Sequence, residues 1–546
     1  MFFGGYLVKL IYYYESRGEI MDQTLIRKLV SADEEYLRDE SKKVGHAESI
    51  SFPETHEQVC QIMAELFESG TSVTVQGSRT GLASAAVPFG GHVLNMSRMD
   101  KVLGMRAEND NFYITVQPGV ILQKLNKAIA ARAFDTSAWD EASQEVYKTF
   151  VQAPVQMFTP DPTESTATIG GMVACNASGA RSYHYGPTRN HIQAVRGVLA
   201  NGQTISLSRG QIFAKGLELT LPTEQGNSIT VKLPTYKMPE CKNASGYYCC
   251  ADMDAIDLLI GSDGTLAVLT EIELSLMPVP ALSWGVTCFF PQEIHAAKYT
   301  KLAKQIKEGI VAIEYFDPCA LDILRKQKAE STAFAGLPFL PDSYGCAVYT
   351  ELHCETEDQA YELLEALSGY CAEAGGNPDN TWVACSDSDR DMLHFFRHAV
   401  PESVNMQVER TKHTYPEVTK VGGDLAVPDE YFEELLGIYD ATLKEEGLQH
   451  AAWGHIGDNH IHVNILPRDM DEYSRGKALL AKWAAEVSRM GGAVSAEHGV
   501  GKLKAPFLEV MYGTEHINEM AALKATFDSK WMLGRGNLFS PQEEVK

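Results

Sequence analysis

The residues best suited to chemistry lie in two short segments of the C-terminal half, WGHIGDNHIHVNIL and SAEHG. In a strand, alternate side chains share a face, so His460, His462 and Asn464 are expected to point the same way. His455 arrives from the preceding turn, and the second segment adds Glu497 and a further imidazole. Two or three imidazoles with a carboxylate suit a divalent metal such as zinc, manganese or iron. The pattern therefore predicts a metal site.

Three other segments are rich in glycine and threonine. They read VQGSRTGLASAAVPFGG (residues 75–91), PDPTESTATIGGMVACNASGARSYHYG (160–186) and IGSDGTLAVLTEIEL (260–274). Glycine and small side chains let backbone amides approach a phosphate closely. Each segment adjoins a strand-like run, which suits a large phosphate-containing cofactor. None matches the Rossmann or P-loop fingerprint, so those two modes of recognition do not apply.

Local patterns predict the elements that carry these segments. An amphipathic helix is predicted for residues 57–69 and a hairpin at Asn201-Gly202. Beyond Pro278 and Pro280 the pattern changes to strand–helix–strand, which occurs twice and predicts an α+β sheet with helices on one face. The strands are predicted at 283–289, 310–316, 345–352 and 381–384, and the helices at 294–308 and 357–374.

Composition limits the partners and the compartment. The chain has 546 residues and a net charge of -25, which disfavours nucleic acid and an anionic membrane surface as partners. Its 11 cysteines include no C-x-x-C pair and no iron–sulfur spacing, so a reduced cytoplasmic location is expected. No stretch is long and apolar enough to predict a transmembrane helix.

Residues 1–20 are expected to lie outside the translated protein. Phe2–Tyr14 is apolar but too short to span a bilayer, and it lacks the basic start and cleavage site of a signal peptide. Arg17–Glu19 can be encoded as a ribosome-binding sequence just ahead of Met21, the expected start. A real apolar arm is the alternative, and the intact mass of the natively expressed protein distinguishes the two.

The three glycine-rich segments, in this order, resemble the FAD-binding domain of the vanillyl-alcohol-oxidase (PCMH-type) flavoproteins. The resemblance covers residues 51–280 and implies a non-covalently held FAD. One departure is Arg79, where the family more often has glycine, and its side chain either meets a phosphate or points away from it. The residues expected to contact FAD in these segments are Gly77, Ser78, Arg79, Thr80, Gly81, Leu82, Pro160, Thr168, Gly170, Gly171, Asn176, Ser178, Gly179, Tyr185, Gly186, Gly264 and Thr265.

HIGDNHIHVN and SAEHGVG resemble the C-terminal domain of FAD-linked D-2-hydroxyacid dehydrogenases. That group includes D-lactate dehydrogenases, D-2-hydroxyglutarate dehydrogenases and the flavin subunit of glycolate oxidase. The resemblance implies that His455, His462 and Glu497 are the ligands of the divalent metal. It also implies that Asn464 lies beside the substrate and that His498 is the catalytic base.

Three further residues fall in segments that match this family. Arg397, in HFFRHAVPESV, resembles an arginine that meets a substrate carboxylate, which a guanidinium can bind in a bidentate way. Lys420, in TKVGGDLAVP, resembles a lysine near the site. The family more often has Gly-Asn where this chain has Asn459-His460, so His460 could be an extra ligand, a partner of a ligand, or a packing residue.

The implied architecture is α+β, with a PCMH-type FAD-binding domain followed by a ferredoxin-like α+β cap domain for the substrate and metal. A helical extension is expected over residues 1–50, the FAD-binding domain over 51–280, and the FAD-linked oxidase C-terminal domain over 281–546. The closing segment, residues 524–538, resembles the family's last segment, which returns to the flavin domain. Asn537 is therefore expected near the isoalloxazine ring.

The function implied is FAD-dependent oxidation of a small D-2-hydroxy acid, D-lactate first, to the 2-oxo acid, with hydride transfer to flavin N5. The sequence has no second redox centre, so a separate acceptor is expected, either an electron-transfer flavoprotein or an iron–sulfur subunit. Direct reaction with oxygen or a quinone is the second choice. The alternative functions are a sugar or alcohol oxidase of the same superfamily, a flavin-free metallohydrolase, and a non-catalytic flavin-binding subunit.

Overall fold

A computed structural model describes residues 25–539, which form two mixed α/β parts, residues 25–280 and 281–539. The expectations about a start at Met21 and about residues 1–20 lie outside the described residues. In the first part the strands are β1 Arg27–Lys28, β2 Ser49–Ser51, β3 Val73–Gln76, β4 His92–Asn95, β5 Val102–Glu108, β6 Asn111–Val116, β7 Gln156–Met157, β8 Ile192–Val198, β9 Thr204–Ser208, β10 Glu218–Pro222, β11 Ser228–Lys232, β12 Val268–Ser275 and β13 Met277–Pro278. Its helices are α1 His56–Ser69, α2 Leu122–Ala131, α3 Glu141–Gln152, α4 Ile169–Cys175, α5 Ser182–Tyr185 and α6 Ile256–Leu259, with 3₁₀ helices at Ser31–Leu37, Met96–Arg98 and Thr188–His191.

Two main sheets build this first part. One has the order β1-β2-β4-β3 with parallel pairing of β2, β4 and β3, and the other is antiparallel with the order β5-β6-β12-β8-β9. The predicted hairpin at Asn201-Gly202 is confirmed, because β8 and β9 pair antiparallel and Gly202 has φ 80°. The helix predicted for residues 57–69 is confirmed as α1, which ends where Gly70 takes a left-handed conformation.

The second part carries the remaining elements. Its strands are β14 Leu282–Phe290, β15 Ile310–Phe316, β16 Cys346–Cys354, β17 Trp382–Ala384, β18 Val421–Gly422, β19 Leu425–Ala426, β20 His450–Gly454 and β21 His460–Ile465. Its helices are α7 Glu293–Ala303, α8 Pro318–Glu330, α9 Glu357–Ala374, α10 Asp387–Lys412, α11 Phe432–Glu446, α12 Met470–Arg489 and α13 Ala505–Phe527, with 3₁₀ helices at Thr332–Phe334, Pro378–Asn380, Asp429–Tyr431 and Ile456–Asp458.

The sheet of this part begins as a ferredoxin-like unit. The chain runs β14-α7-β15-β16-α9-β17 with α8 inserted between β15 and β16, and the strands lie in the antiparallel order β17-β14-β16-β15. The sheet then continues through β20, β21 and β18, and β19 also pairs with β21. The predicted α+β class is therefore confirmed.

Helices cover both faces of this sheet, whereas the sequence pattern predicts them on one face. Side chains of α7 and α9 pack with Val286 and Phe290 of β14, while those of α8 and α10 pack on the other side with Phe289. The physical reason is visible in β15, all seven residues of which are buried. Such continuous apolar runs need cover on both sides, as in parallel α/β sheets.

The N-terminal segment differs from the helical extension that its apolar spacing predicts. In the described residues 25–50, Arg27–Lys28 pairs as a strand with β2, and Ser31–Leu37 forms a 3₁₀ helix with no α-helix. Leu25 and Ile26 pack against the core beneath α1. Within the described part of the chain, no helix is both long and apolar enough to cross a bilayer.

The closing segment packs against the first part of the chain. Leu533 forms a parallel bridge with Val73, and the buried Lys524 ammonium donates to the carbonyl oxygens of Thr265 and Leu533, each at 2.9 Å. Lys524 also pairs with the Asp528 carboxylate at 2.9 Å, and Asp528 is fully buried. A buried ion pair of this kind fixes the direction in which the chain returns.

Replacing Asp528 with Asn should destabilise the protein by about 3–5 kcal/mol, because a buried ammonium would lose its charge partner. The free energy of unfolding in urea measures this. Asp440→Asn is the matched control, since its pair with Lys444 also spans one helical turn but is exposed, and the unfolding midpoint should barely change. Equal shifts for the two variants would show that the buried pair does not anchor the closing segment.

Candidate active site

A cavity of about 1090 Å³ lies between the two parts of the chain. One wall comes from the three glycine-rich segments of the first part. The opposite wall comes from β15, α10, the β20–β21 hairpin and residues 495–504. The cavity therefore brings the predicted cofactor segments and the predicted metal cluster to the same space.

The hairpin presents its histidines as the alternation predicts. Ile461, Val463 and Ile465 pack into the core on one face of β21, while His462 and Asn464 line the cavity from the other. The connection from β20 turns through Asn459, whose φ of 53° is left-handed. This conformation suits asparagine better than most residues, and it lets β21 double back on β20.

Four side chains converge beside the cavity. His455, His460, His462 and Glu497 each offer a ligand atom, and these atoms lie within 4.8 Å of one another. Glu497 Oε1 is 2.9 Å from His462 Nε2, and Glu497 Oε2 is 3.2 Å from His455 Nε2. His460 Nδ1 is 3.9 Å from Glu497 Oε2. The donor set of imidazoles and one carboxylate fits a divalent metal of the zinc, manganese or iron type.

His460 is the least satisfied member of the cluster. Its side chain is fully buried, and neither ring nitrogen makes a well-oriented hydrogen bond with any other residue of the described range 25–539, although Nε2 lies 3.0 Å from Asp424 Oδ1. Buried polar atoms without partners are rare and need an explanation. A role as metal ligand would explain the unpaired nitrogens of His460. Of the three roles that the sequence leaves open for His460, namely extra ligand, partner of a ligand and packing residue, this geometry favours the extra ligand.

Charge compensation in the cluster comes from both parts of the chain. Lys242 Nζ lies 2.7 Å from Glu497 Oε2, and Glu314 Oε1 lies 2.7 Å from His455 Nδ1. Burial opposes ionisation of Glu497, but Lys242 and His455 hold the pKa of this carboxyl well below its usual range. Burial also opposes protonation of His455, yet Glu314 and Glu497 raise its pKa to about 10. The cluster thus attracts positive charge, whether protons or a metal ion.

A second buried carboxylate, Asp424, holds the segment that contains His498. The backbone amides of Glu497 and His498 donate to Asp424 at 3.2 and 3.1 Å, and Lys504 forms an ion pair with it. Asp424 Oδ2 lies 3.3 Å from His498 Nδ1. This arrangement orients the imidazole of His498, which lines the cavity.

Two cationic side chains line the same space. Arg397 Nη2 lies 3.3 Å from Glu314 Oε2, and its guanidinium carbon is 5.0 Å from the centre of the Tyr349 ring. Within residues 25–539, Lys420 has no hydrogen bond or ion pair and only a distant contact with the Trp453 ring, at 5.9 Å. Burial lowers the pKa of Lys420. An unpaired ammonium in a cavity favours an anionic ligand.

Comparison with known proteins places these features in a family. A model of the FAD binding domain matches residues 47–138 and 148–208, and a model of the FAD linked oxidases, C-terminal domain, matches residues 282–538. The chain belongs to the FAD-linked oxidases.

The relatives of this FAD-linked oxidase span nearly its whole length. It is 26% identical to a D-lactate dehydrogenase of Anaerostipes hadrus, over 93% of each chain. It is also 26% identical to a D-2-hydroxyglutarate dehydrogenase of Stutzerimonas stutzeri, over 92% of this chain and 94% of the relative. A solved structure of alkyldihydroxyacetonephosphate synthase superposes with a TM-score of 0.61 at 14% identity, covering 96% of this chain and 84% of the other, which shows a shared fold. The protein is an FAD-linked oxidoreductase of the D-2-hydroxyacid dehydrogenase kind.

Most of the residues predicted to contact FAD in this oxidase line the cavity. Those on the lining are Gly77, Ser78, Arg79, Thr80, Gly81, Leu82, Thr168, Gly170, Gly171, Ser178 and Gly264. Those outside it are Pro160, Asn176, Gly179, Tyr185, Gly186, Thr265 and Asn537. Two residues of the second group make hydrogen bonds elsewhere: Tyr185 OH bonds His353 Nδ1 at 2.7 Å, and Asn537 accepts from Lys502 at 2.8 Å.

The arginine that replaces the usual family glycine is engaged away from the cluster. Arg79 pairs with Glu35 at 2.8 Å, and its guanidinium carbon lies 4.4 Å from the centre of the Tyr36 ring. Of the two orientations that the sequence allows for Arg79, these contacts favour the one that points away from a phosphate. The backbone at this position is left-handed, with φ 62°, which explains why glycine is common there.

Sequence reasoning missed several residues of the site. Glu314, Glu351, Asp424 and Arg181 line the cavity, and Lys242 contacts the cavity residue Glu497. Each lies far along the chain from its partners. Two local signals are a lysine in KNASG and an aspartate after Gly-Gly in TKVGGDLAVP. Charged residues inside apolar runs, such as Glu314 in IVAIEYF, are a further signal of buried pairing.

Gly77→Ala should lower the amount of FAD bound by the oxidase. A Cβ at this position would lie 2.1 Å from Thr168 Oγ1, so the first and second glycine-rich segments would have to separate. The ratio of flavin absorbance to protein in the purified variant measures the loss. Gly369→Ala, an exposed helical position with open space around its Cβ, is the control and should keep full flavin content. Unchanged flavin in Gly77→Ala would show that this contact does not shape the FAD site.

Proposed function

We propose that this oxidase converts a small D-2-hydroxy acid, with D-lactate as the first candidate, to its 2-oxo acid. The observation that carries the proposal is one cavity lined by the FAD segments, by the His–Glu cluster and by two cationic side chains. The relatives named as D-lactate and D-2-hydroxyglutarate dehydrogenases support the substrate class. Because these relatives are only 26% identical to this chain, the choice of D-lactate among the 2-hydroxy acids is part of the proposal.

The substrate carboxylate is assigned to Arg397 and Lys420. Among the described residues Arg397 forms one ion pair, with Glu314, which leaves further guanidinium N–H groups for a carboxylate. Lys420 supplies a second positive charge with no competing partner among the described residues. Asn464, whose side-chain amide donates to the His462 carbonyl at 2.9 Å, lies beside them on the cavity wall. Together these groups orient a short 2-hydroxy acid.

The metal is assigned to His455, His462 and Glu497, with His460 close enough to be a fourth ligand. When bound, the metal would act as a Lewis acid toward the substrate hydroxyl, and FAD would accept the hydride. Lys242 and Glu314 contact Glu497 and His455 and would orient them as partners of the ligands.

His498 is assigned the role of the base that accepts the proton of the substrate hydroxyl. Asp424 lies 3.3 Å from Nδ1 of this ring, which favours the tautomer that carries its proton on Nδ1. Nε2, which lies 3.5 Å from Glu497 Oε1, would then accept a proton from a hydroxyl in the cavity. Asp424 cannot easily move, because two backbone amides and Lys504 hold its carboxylate.

The other functions weighed from the sequence fit less well. Family membership gives the protein an FAD site, which removes the reason for a flavin-free hydrolase. A sugar or alcohol oxidase would have no use for two cations aimed into the cavity. A non-catalytic flavin subunit would have no use for a buried His–Glu cluster. We also propose that the electrons pass to a separate acceptor, such as an electron-transfer flavoprotein or an iron–sulfur subunit.

A substrate screen tests the proposal. The purified yellow protein is assayed with an artificial dye acceptor and with D-lactate, L-lactate, glycolate, D-2-hydroxyglutarate and a neutral alcohol. We expect turnover with D-lactate and none with its enantiomer or the alcohol. Turnover of the neutral alcohol alone would support the alternative oxidase. Equally fast turnover in air without dye would make a separate acceptor unnecessary.

Arg397→Met should weaken apparent affinity for the acid by an amount on the order of 2–5 kcal/mol, because a desolvated carboxylate loses its charge-assisted partner. The KM for the acid measures this. Arg390→Met is the matched control, since Arg390 lies two turns earlier on α10 and outside the cavity lining. An unchanged KM in Arg397→Met would exclude a direct contact with the carboxylate.

His462→Ala should remove the metal and the activity while leaving FAD bound, because the metal and flavin residues lie on opposite walls of the cavity. Metal content and flavin absorbance are measured on the same preparation. His413→Ala, an exposed histidine at the end of α10, serves as the control and should keep both. Full metal content in His462→Ala would contradict the ligand assignment.

A further inference from the structure

A second cluster of side chains that can bind a metal lies away from the cavity. Asp317 follows β15 directly, Cys319 lies in the first turn of α8, and His450 is the first residue of β20. None of the three lines the cavity described above. Each offers one ligand atom, and the three atoms lie within 4.8 Å of one another.

The spacing of these atoms is close to that of a zinc site. His450 Nε2 lies 3.6 Å from Asp317 Oδ2 and 3.9 Å from Cys319 Sγ. In a tetrahedral zinc site, bond lengths of about 2.0–2.3 Å put neighbouring ligand atoms about 3.3–3.6 Å apart. The two distances from His450 Nε2 lie within a few tenths of an ångström of these values. Thiolate and imidazole together select zinc over calcium or magnesium.

The charge around the cluster also favours a cation. Asp317 is buried, and across residues 25–539 it has no Lys or Arg within ion-pairing distance, only His450. Its Oδ1 accepts from the Ala320 amide at 2.6 Å, which leaves Oδ2 directed at the imidazole. The acidic side chains of Glu293 and Asp322 add to the negative potential around Asp317. A buried carboxylate without a cationic partner is costly, and a metal ion would remove that cost.

The position of the cluster suggests what such an ion would do. The ferredoxin-like unit joins the rest of its sheet through β15 and β20, which pair only at Tyr315–Gly454 and Phe316–Trp453. Asp317 and His450 lie at one end of this short seam, directly after β15 and at the start of β20. Glu314 and His455, which are hydrogen-bonded in the active-site cluster, lie at the other end.

We propose that Asp317, Cys319 and His450 bind a second metal ion, Zn²⁺, that cross-links the start of α8 to β20. The ion stabilises the seam between the two halves of the sheet and so supports the placement of His455. Three protein ligands leave the fourth position of zinc to water. Binding displaces the thiol proton of Cys319, so zinc affinity falls as pH is lowered.

Zinc content per chain of the FAD-loaded protein tests the proposal. The variants are Cys319→Ser, His450→Gln and His462→Ala, with Cys385→Ser as the control for loss of an exposed thiol. We expect Cys319→Ser and His450→Gln each to lose one zinc, and Cys385→Ser to lose none. His462→Ala should keep this zinc while losing the active-site metal, so the two sites are scored separately. A wild-type protein with no zinc beyond the ion lost in His462→Ala would overturn the proposal.

A second measurement uses the unmodified chain and does not depend on how the variants fold. The FAD-loaded protein is treated with a chelator, and alkylation of each cysteine is followed by peptide mapping with and without added Zn²⁺. Zinc should slow the alkylation of Cys319 several-fold and leave Cys385 unaffected. Equal alkylation of Cys319 in both samples would overturn the proposal, even if zinc were found elsewhere on the protein.

Discussion

Glu497 is a carboxylate buried where the two parts of the chain meet, and burial of a charge is tolerated only when opposite charges lie close to it. The partners that satisfy it come from distant positions. Lys242 reaches it from the first part, and His455 and His462 reach it from the β20–β21 hairpin. The same electrostatic requirement therefore docks the two parts and concentrates metal-ligating atoms at one edge of the cavity.

The surrounding fold keeps that cluster in place. β21 alternates core and cavity side chains, so packing of Ile461, Val463 and Ile465 fixes where His462 and Asn464 point. On the facing wall, glycines let the first and second glycine-rich segments approach so closely that a Cβ on Gly77 would overlap Thr168. On one wall, apolar packing thus fixes the direction of the side chains. On the other wall, the two segments can approach closely because glycine has no side chain.

Local patterns in the sequence predict much of this arrangement. Strand β15 and helix α9 begin and end where the apolar spacing places them, and the alternation in HIHVN predicts that His462 and Asn464 share the face that lines the cavity. The sequence pattern gives wrong predictions where long-range contacts determine the local structure. It places helices on one face of a sheet that is covered on both, and it predicts helix where Arg27–Lys28 pairs as a sheet edge. The pattern also does not identify Lys242, Glu314 and Asp424 as residues of the site, because only the tertiary fold brings them to their partners.

The central claim is that the flavin and the metal cluster act on one substrate in one cavity. The most direct test follows the absorbance of the bound flavin after mixing with D-lactate without oxygen, for the enzyme as purified, after chelation, and after the metal is restored. The account predicts rapid bleaching that chelation abolishes and metal restores, while dithionite bleaches the chelated enzyme as well. Bleaching at the same rate with and without the metal would contradict it.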